Sequence, residues 1–458
     1  MELKNSWLSY TAAQKKELEK VCSGYRHFLD EGKTERECVD FAVAAAEKAG
    51  YKNLADIIKK GTKLKSGDKV YSSYMGKTIA LFNIGSEPIE SGLNILGAHI
   101  DSPRMDVKQN PLYEDNELVY LDTHYYGGIK KYQWVTVPLA IHGVVVKTDG
   151  TTIDVNIGEE EDDPVFCVTD LLIHLAADQM EKKGAKVVEG ENLDVLFGSM
   201  PIKTKEKEAV KAGILELLKE KYDMEERDFE SAELEVVPAG KSREAGLDRS
   251  MIIGYGQDDR VCAYTSLLAF LDVKKVKRTG VCLLVDKEEI GSVGATGMQS
   301  HVFENALAEV MNAMGAYNEL SLRRTLANSK MLSSDVSAAY DPLYASQFDK
   351  KNAAFFGKGI VFNKYTGARG KSGSNDANAE YFALVRSIME SNNVAYQTAE
   401  LGKVDAGGGG TIAYIMSLYG MDVIDSGMAV LSMHAPWEVT SKSDIYEGYK
   451  AYKAFIEN

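Results

Sequence analysis

Residues 261–289 read VCAYTSLLAFLDVKKVKRTGVCLLVDKEE. The first part, 261–273, is an apolar run of helical length. After a short basic connection, 279–289 reads as a central strand: apolar, β-branched and without alternation, as expected where both faces are covered. That strand delivers two adjacent carboxylates, Glu288 and Glu289, into the glycine-rich turn IGSVGA. Helix followed by buried strand is the unit from which α/β domains are built.

The same alternation extends outward. Upstream, LNILGAHIDSP reads as a buried strand running into a loop, and KVYSSYMGKTIALFNIG has strand composition. Further upstream, Thr34 and Glu37 form a capping box before CVDFAVAAAEKAG. There Cys38, Phe41, Ala42 and Ala45 share one helical face, and Gly50 ends the helix. Downstream, residues 376–391 and 411–419 read as helices. A last helix starts at a Ser443 or Asp444 cap, with Ile445, Tyr449, Tyr452 and Phe455 at helical spacing.

The middle differs. Strands are expected at 117–121, 135–146 and 151–157, a solvated acidic turn at 159–163 and an amphipathic helix at 206–221. Few metal-ligand types cluster there, so this part serves shape and assembly. The expected organisation is one α/β domain, residues 1–108 and 247–458, interrupted by a smaller β-rich domain at 109–246.

Composition sets limits. The chain has 458 residues, 45% hydrophobic and 26% charged, with a formal net charge of −15. A compact polyanion repels phosphate backbones, which argues against general nucleic-acid binding. The opening, MELKNSWLSYTAAQKKELEK, has no apolar leader run, and no stretch approaches the ~20 apolar residues that span a bilayer. The five cysteines are scattered, without a C-x-x-C pair. A cytoplasmic, reducing location is expected, with no thiolate metal site. Cys262 and Cys282 read as small buried residues.

Chemistry concentrates at the ends of apolar elements. His99 and Asp101, two apart at a strand end, share a face, so Asp101 can orient a His99 that ligates metal; HIDSP also reads as a polar loop. One of Glu288 and Glu289 can bind metal while the other takes a proton from water; both also read as surface loop glutamates. Asp258, in GQDD before the 261–273 helix, can bridge two cations or simply cap that helix. Asp335 and His434 each follow short apolar stretches, and His434 reads equally as a buried core histidine. Taken together, two histidines and three acids give a nitrogen and oxygen donor set suited to zinc, cobalt or manganese. Such ends are where open α/β sheets gather ligands. AGGGGT (406–411) lacks G-K-[ST] and is no phosphate loop; it marks close backbone approach before a helix. GARGKSGSND (367–376) reads as a substrate-facing loop.

Seven segments, in this order, resemble the M18 metalloaminopeptidases, the group holding aspartyl aminopeptidase and vacuolar-type aminopeptidase I. They are GAHIDSPR (97–104), YYGGIKKYQW (125–134), GQDDR (256–260), DKEEIGSVGATG (286–297), SSDVSAAYDP (333–342), GGGGTIA (407–413) and LSMHAPWE (431–438). The resemblance spans essentially the whole chain. It implies metal ligands His99, Asp258 (bridging), Glu289, Asp335 and His434, a general base Glu288, and Asp101 orienting His99. It implies two divalent ions per subunit, Zn²⁺ first and Co²⁺ or Mn²⁺ as alternatives. It implies a phosphorylase/hydrolase-like α/β catalytic domain with a mixed central sheet, a β-rich assembly domain and a tetrahedral dodecamer. Peptides with a free amine are the implied substrates, and neither nucleic acid nor membrane is a partner. The acidic-specific branch reads YGGGLWHTWF where this chain has YYGGIKKYQW, which puts Lys131 at that branch's histidine. A neutral or hydrophobic first residue is therefore as expected as an acidic one. Lys358, Lys364, Arg369, Lys371 and Lys403 are candidate pocket cations. The alternatives are a related dinuclear carboxypeptidase or N-deacylase, and an inactive scaffold protein.

Overall fold

The computed structural model describes residues 4–458. The chain divides into two compact units. The first takes the stretch ending at Asp101 together with Ser242–Met433 and Glu438–Asn458; the second takes Ser102–Lys241 and His434–Trp437.

The first unit is built on a nine-stranded mixed sheet. Strand Leu93–His99 lies at its centre, parallel to Thr279–Val285 on one side and Lys330–Ser334 on the other. Lys330–Ser334 pairs in parallel with Asp422–Gly427. The hairpin Lys69–Tyr74 and Thr78–Asn83 adds antiparallel strands on one side, and the short strand Lys52–Asn53 pairs in parallel beyond it.

The side chains of these strands alternate between two cores. Leu96, Cys282, Leu284, Leu332 and Ile424 pack in one cluster, which includes residues of helices Ala12–Glu31, Glu35–Lys48, Gln257–Asp272 and Lys442–Glu457. Ile95, Val281, Leu283, Met331 and Val423 face the other, with helices Val302–Met314 and Glu319–Ala327. Both faces are covered, which explains why apolar residues fill successive positions along these strands instead of alternating with polar ones.

The expected capping box is present: Thr34 accepts Glu37 N, the Glu37 side chain accepts Thr34 N, and the helix runs Glu35–Lys48. Cys38 and Ala42 are buried as expected, whereas Phe41 and Ala45 are half-buried. The strand expected over 279–289 stops at Val285. Lys287, at φ 71°, turns the chain into the short 3-10 segment Glu288–Ile290. The last helix begins at Lys442 with Ser441 as its N-cap residue. Asp444 does not cap it; its carboxylate accepts Gly357 N and Gly359 N, each at 2.8 Å. A five-stranded sheet that the sequence did not announce joins Met251–Gly254 to Glu438–Ser441, with Gly254 opposite Glu438.

The second unit is a seven-stranded sheet paired antiparallel throughout, with helix Ala209–Tyr222. The strand expected from Val135 starts only at Leu139. Thr136 sits at φ 59°, and Pro138 has no N–H to give to a ladder. No described helix is long and apolar enough to cross a membrane.

Candidate metal centre

Three neighbouring parallel strands end at one edge of the central sheet. His99 is the last residue of its strand, directly opposite Val285. Val285 leads into the turn carrying Glu288 and Glu289, and Ser334 leads into Asp335. Asp258 enters from the start of helix Gln257–Asp272, where it and Asp259 hold non-helical backbone angles. The Asp258–Asp259 peptide is cis. Asp258 does not cap that helix, whose N-cap position is Gly256 at φ 68°.

His99 is 1% exposed, and its two nitrogens face different partners. Nδ1 lies 3.0 Å from the Asp101 carbonyl oxygen and 3.3 Å from Asp101 Oδ1. Two acceptors there place the proton on Nδ1. Nε2 lies 3.2 Å from Asp258 Oδ1 and 3.8 Å from Glu288 Oε2. A lone pair aimed at carboxylate oxygens is repulsive unless a proton or a cation stands between them. Burial works to lower the His99 pKa, but its bonds to Asp101 and Asp258 outweigh burial and hold it well above its ordinary value. Burial and the neighbouring Glu288 carboxylate likewise push Asp335 well above the carboxylate range. Burial does the same to Asp259.

Asp101 does more than face His99. Its carboxylate accepts Glu288 N through Oδ1 and Glu289 N through Oδ2, each at 3.1 Å. One side chain therefore fixes the turn that presents both glutamates.

Among the described residues of the first unit, two groups of three donor atoms gather within 4.8 Å of one another: His99 with Glu288 and Glu289, and His99 with Asp258 and Asp335. The donors are imidazole nitrogen and carboxylate oxygen, without thiolate. That chemistry suits zinc, cobalt or manganese. The crowded carboxylates and the raised His99 and Asp335 are what a cation site looks like when protons must do the cation's work. The residues fit divalent metal.

His434 sits in the segment His434–Trp437 at φ 64°, with Nδ1 2.8 Å from the Gly128 carbonyl oxygen. Lys131 lies in the second unit; its Nζ donates to Ala185 O at 3.3 Å and stands 5.5 Å from the Tyr125 ring. Arg369, Lys371 and Lys403 line a cleft of about 320 Å³ with Tyr365, Glu400 and Gly407; Lys358 and Lys364 are not among its lining residues. The glycine run makes the close approach expected of it: a Cβ on Gly407 would lie 2.0 Å from Leu401 O.

Some residues near this machinery carried no readable signal. Glu438 Oε2 accepts Asp258 N at 3.0 Å. Asp425 is buried on its strand and accepts Thr411 Oγ1 at 2.5 Å, tying down the residue after the glycine run. Burial, partly offset by that bond, pushes the Asp425 pKa up to about 7. The unfolded chain releases this proton near pH 4, so between about pH 4 and 7 the native state holds more protons. Stability of the metal-free protein therefore falls as pH rises through that window, and the full penalty stands above it. Asp425→Asn keeps an acceptor for Thr411 and removes the penalty. Urea denaturation of the metal-free protein should show the variant more stable by up to about 4 kcal/mol at pH 8 and by less than half of that at pH 5. An equal difference at both pH values would contradict the assignment.

The family model described as Aminopeptidase I zinc metalloprotease (M18) matches residues 28–456. A probable M18 family aminopeptidase 1 of Clostridium acetobutylicum is 60% identical over 458 residues, covering 100% of this chain and 98% of that protein. The crystal structure of aminopeptidase I from the same organism superposes with a TM-score of 0.94 at 58% identity, covering 100% of both chains. An M18 aminopeptidase structure from Thermotoga maritima gives a TM-score of 0.95 at 44% identity over 100% of this chain and 99% of its own. With nearly its whole length accounted for in this way, the chain belongs to the M18 family of metalloaminopeptidases.

Proposed function

We propose that this protein is a dinuclear metal-dependent aminopeptidase that removes the first residue from peptides with a free α-amine. The observation that carries the reading is the donor cluster at the sheet edge, where His99 Nε2 faces Asp258 and Glu288 while Asp335 and Glu289 complete metal-capable groups.

His99, Asp258, Glu289, Asp335 and His434 would hold two divalent ions. Zn²⁺ is the proposed metal, with Co²⁺ and Mn²⁺ as alternatives. When bound, the pair supplies positive charge that makes water more acidic and stabilises a developing oxyanion. Glu288 takes a proton from the water that attacks the first peptide carbonyl. As the C–N bond breaks, Glu288 returns that proton to the leaving amine. Asp101 holds the His99 ring and, through its bonds to Glu288 N and Glu289 N, the position of the base.

The finer readings rest on the family resemblance. The first unit would be the phosphorylase/hydrolase-like catalytic domain, and the interrupting segment, 109–246 by sequence, would drive assembly into a tetrahedral dodecamer working in the cytoplasm. First-residue preference is neutral or hydrophobic as readily as acidic, because Lys131 stands at the branch histidine.

The test is a dipeptide panel assayed after loading with Zn²⁺, Co²⁺ or Mn²⁺. Hydrolysis of free-amine peptides and no hydrolysis of their N-acetyl forms is expected. Turnover of N-blocked substrates would make the protein a carboxypeptidase or deacylase. Silence across the panel with every metal would favour an inactive scaffold.

A further inference from the structure

Strand Glu438–Ser441 lies against Met251–Gly254, and from Gly254 the chain turns through Gly256 into the segment bearing Asp258. The start of that helix is unusually well fastened. Gln257 is fully buried. Its Nε2 donates to Ile252 O at 3.2 Å and Glu438 O at 2.6 Å. Its Oε1 accepts Tyr25 OH at 3.1 Å and Thr440 Oγ1 at 2.5 Å. The next residue, Asp258, donates its backbone N–H to Glu438 Oε2 at 3.0 Å, and Glu438 is 1% exposed.

The first N–H groups of a helix have no partner within it. Asp258 also has φ −81° and ψ 109°, so helical geometry does not set its backbone. Its backbone N–H is held from outside, by a carboxyl oxygen of the buried Glu438. Where the Asp258 carboxylate points depends on that backbone, and metal ligands tolerate little misplacement.

We propose that Glu438 is a positioning residue, which fixes the Asp258 backbone and thereby aims the Asp258 carboxylate at the metal pair. This rests on the aminopeptidase reading of the site. Glu438 need not touch substrate or metal for it to hold.

The test measures metal affinity by chelator competition, with the visible spectrum of the Co²⁺-loaded protein as a second readout. Glu438→Ala should weaken metal binding about 10- to 100-fold, the range typical of residues supporting a ligand. It should also alter the Co²⁺ spectrum. Glu438→Gln keeps an oxygen acceptor for Asp258 N and should restore most of the affinity. If Glu438→Ala does not fold, Glu438→Met, of similar length and without an acceptor, takes its place. Wild-type affinity and spectrum in a folded Ala or Met variant would overturn the proposal. So would a Gln variant as weak as Ala. If wild type cleaves no free-amine peptide but the affinity pattern holds, the aminopeptidase reading fails and the positioning role stands.

Discussion

Glu288→Gln should bind metal as wild type does and lose about 10²- to 10⁴-fold in kcat, the range a positioned general base contributes. The substitution is nearly isosteric. The backbone N–H of residue 288 still reaches Asp101 Oδ1, so the turn keeps its shape. What goes is the carboxylate proposed to take the proton from water. Because that loss falls on the transition state, kcat and kcat/KM should drop together while KM holds. The measurement also decides between two geometric roles. Glu288 Oε2 stands 3.8 Å from His99 Nε2 and belongs to one of the metal-capable groups. A base leaves metal content intact when replaced; a ligand does not. Turnover of amino-acid amides at the wild-type rate would end the base assignment. A parallel loss of metal would make Glu288 a ligand.

The strand-end positions of this site were readable because burial leaves a mark in sequence. An apolar run that stops at His99, at the DKEE turn or before Asp335 announces where a covered strand emerges. Family resemblance then supplied roles that spacing alone left open, since each motif by itself also fits a loop, a cap or a core histidine. What escaped was set by long-range backbone partners. Glu438, in LSMHAPWE, shows no task in the sequence, because its partner is a backbone N–H 180 residues away in the chain. Asp444 looked like a helix cap by local rules, yet its acceptors are spent on Gly357 N and Gly359 N. The small sheet pairing Gly254 with Glu438 was missed for the same reason: its strands are short, and their pairing follows from the closed fold rather than from local pattern.

Asp258→Asn should cost more metal affinity than any supporting residue does, beyond the ~10–100-fold typical of those. Asp258 Oδ1 lies 3.2 Å from His99 Nε2. An asparagine there offers one oxygen and an NH₂ group, so it cannot join two cations and it removes a negative charge. Elemental analysis after dialysis should find fewer than two ions per chain, and activity should fall with occupancy. Ligand stabilisation scales with affinity, so adding metal should raise the melting temperature of Asp258→Asn less than that of wild type. A residue that merely holds the fold lowers the melting temperature with and without metal and leaves the gain on adding metal unchanged. Full two-ion occupancy in the variant would remove Asp258 from the bridging position.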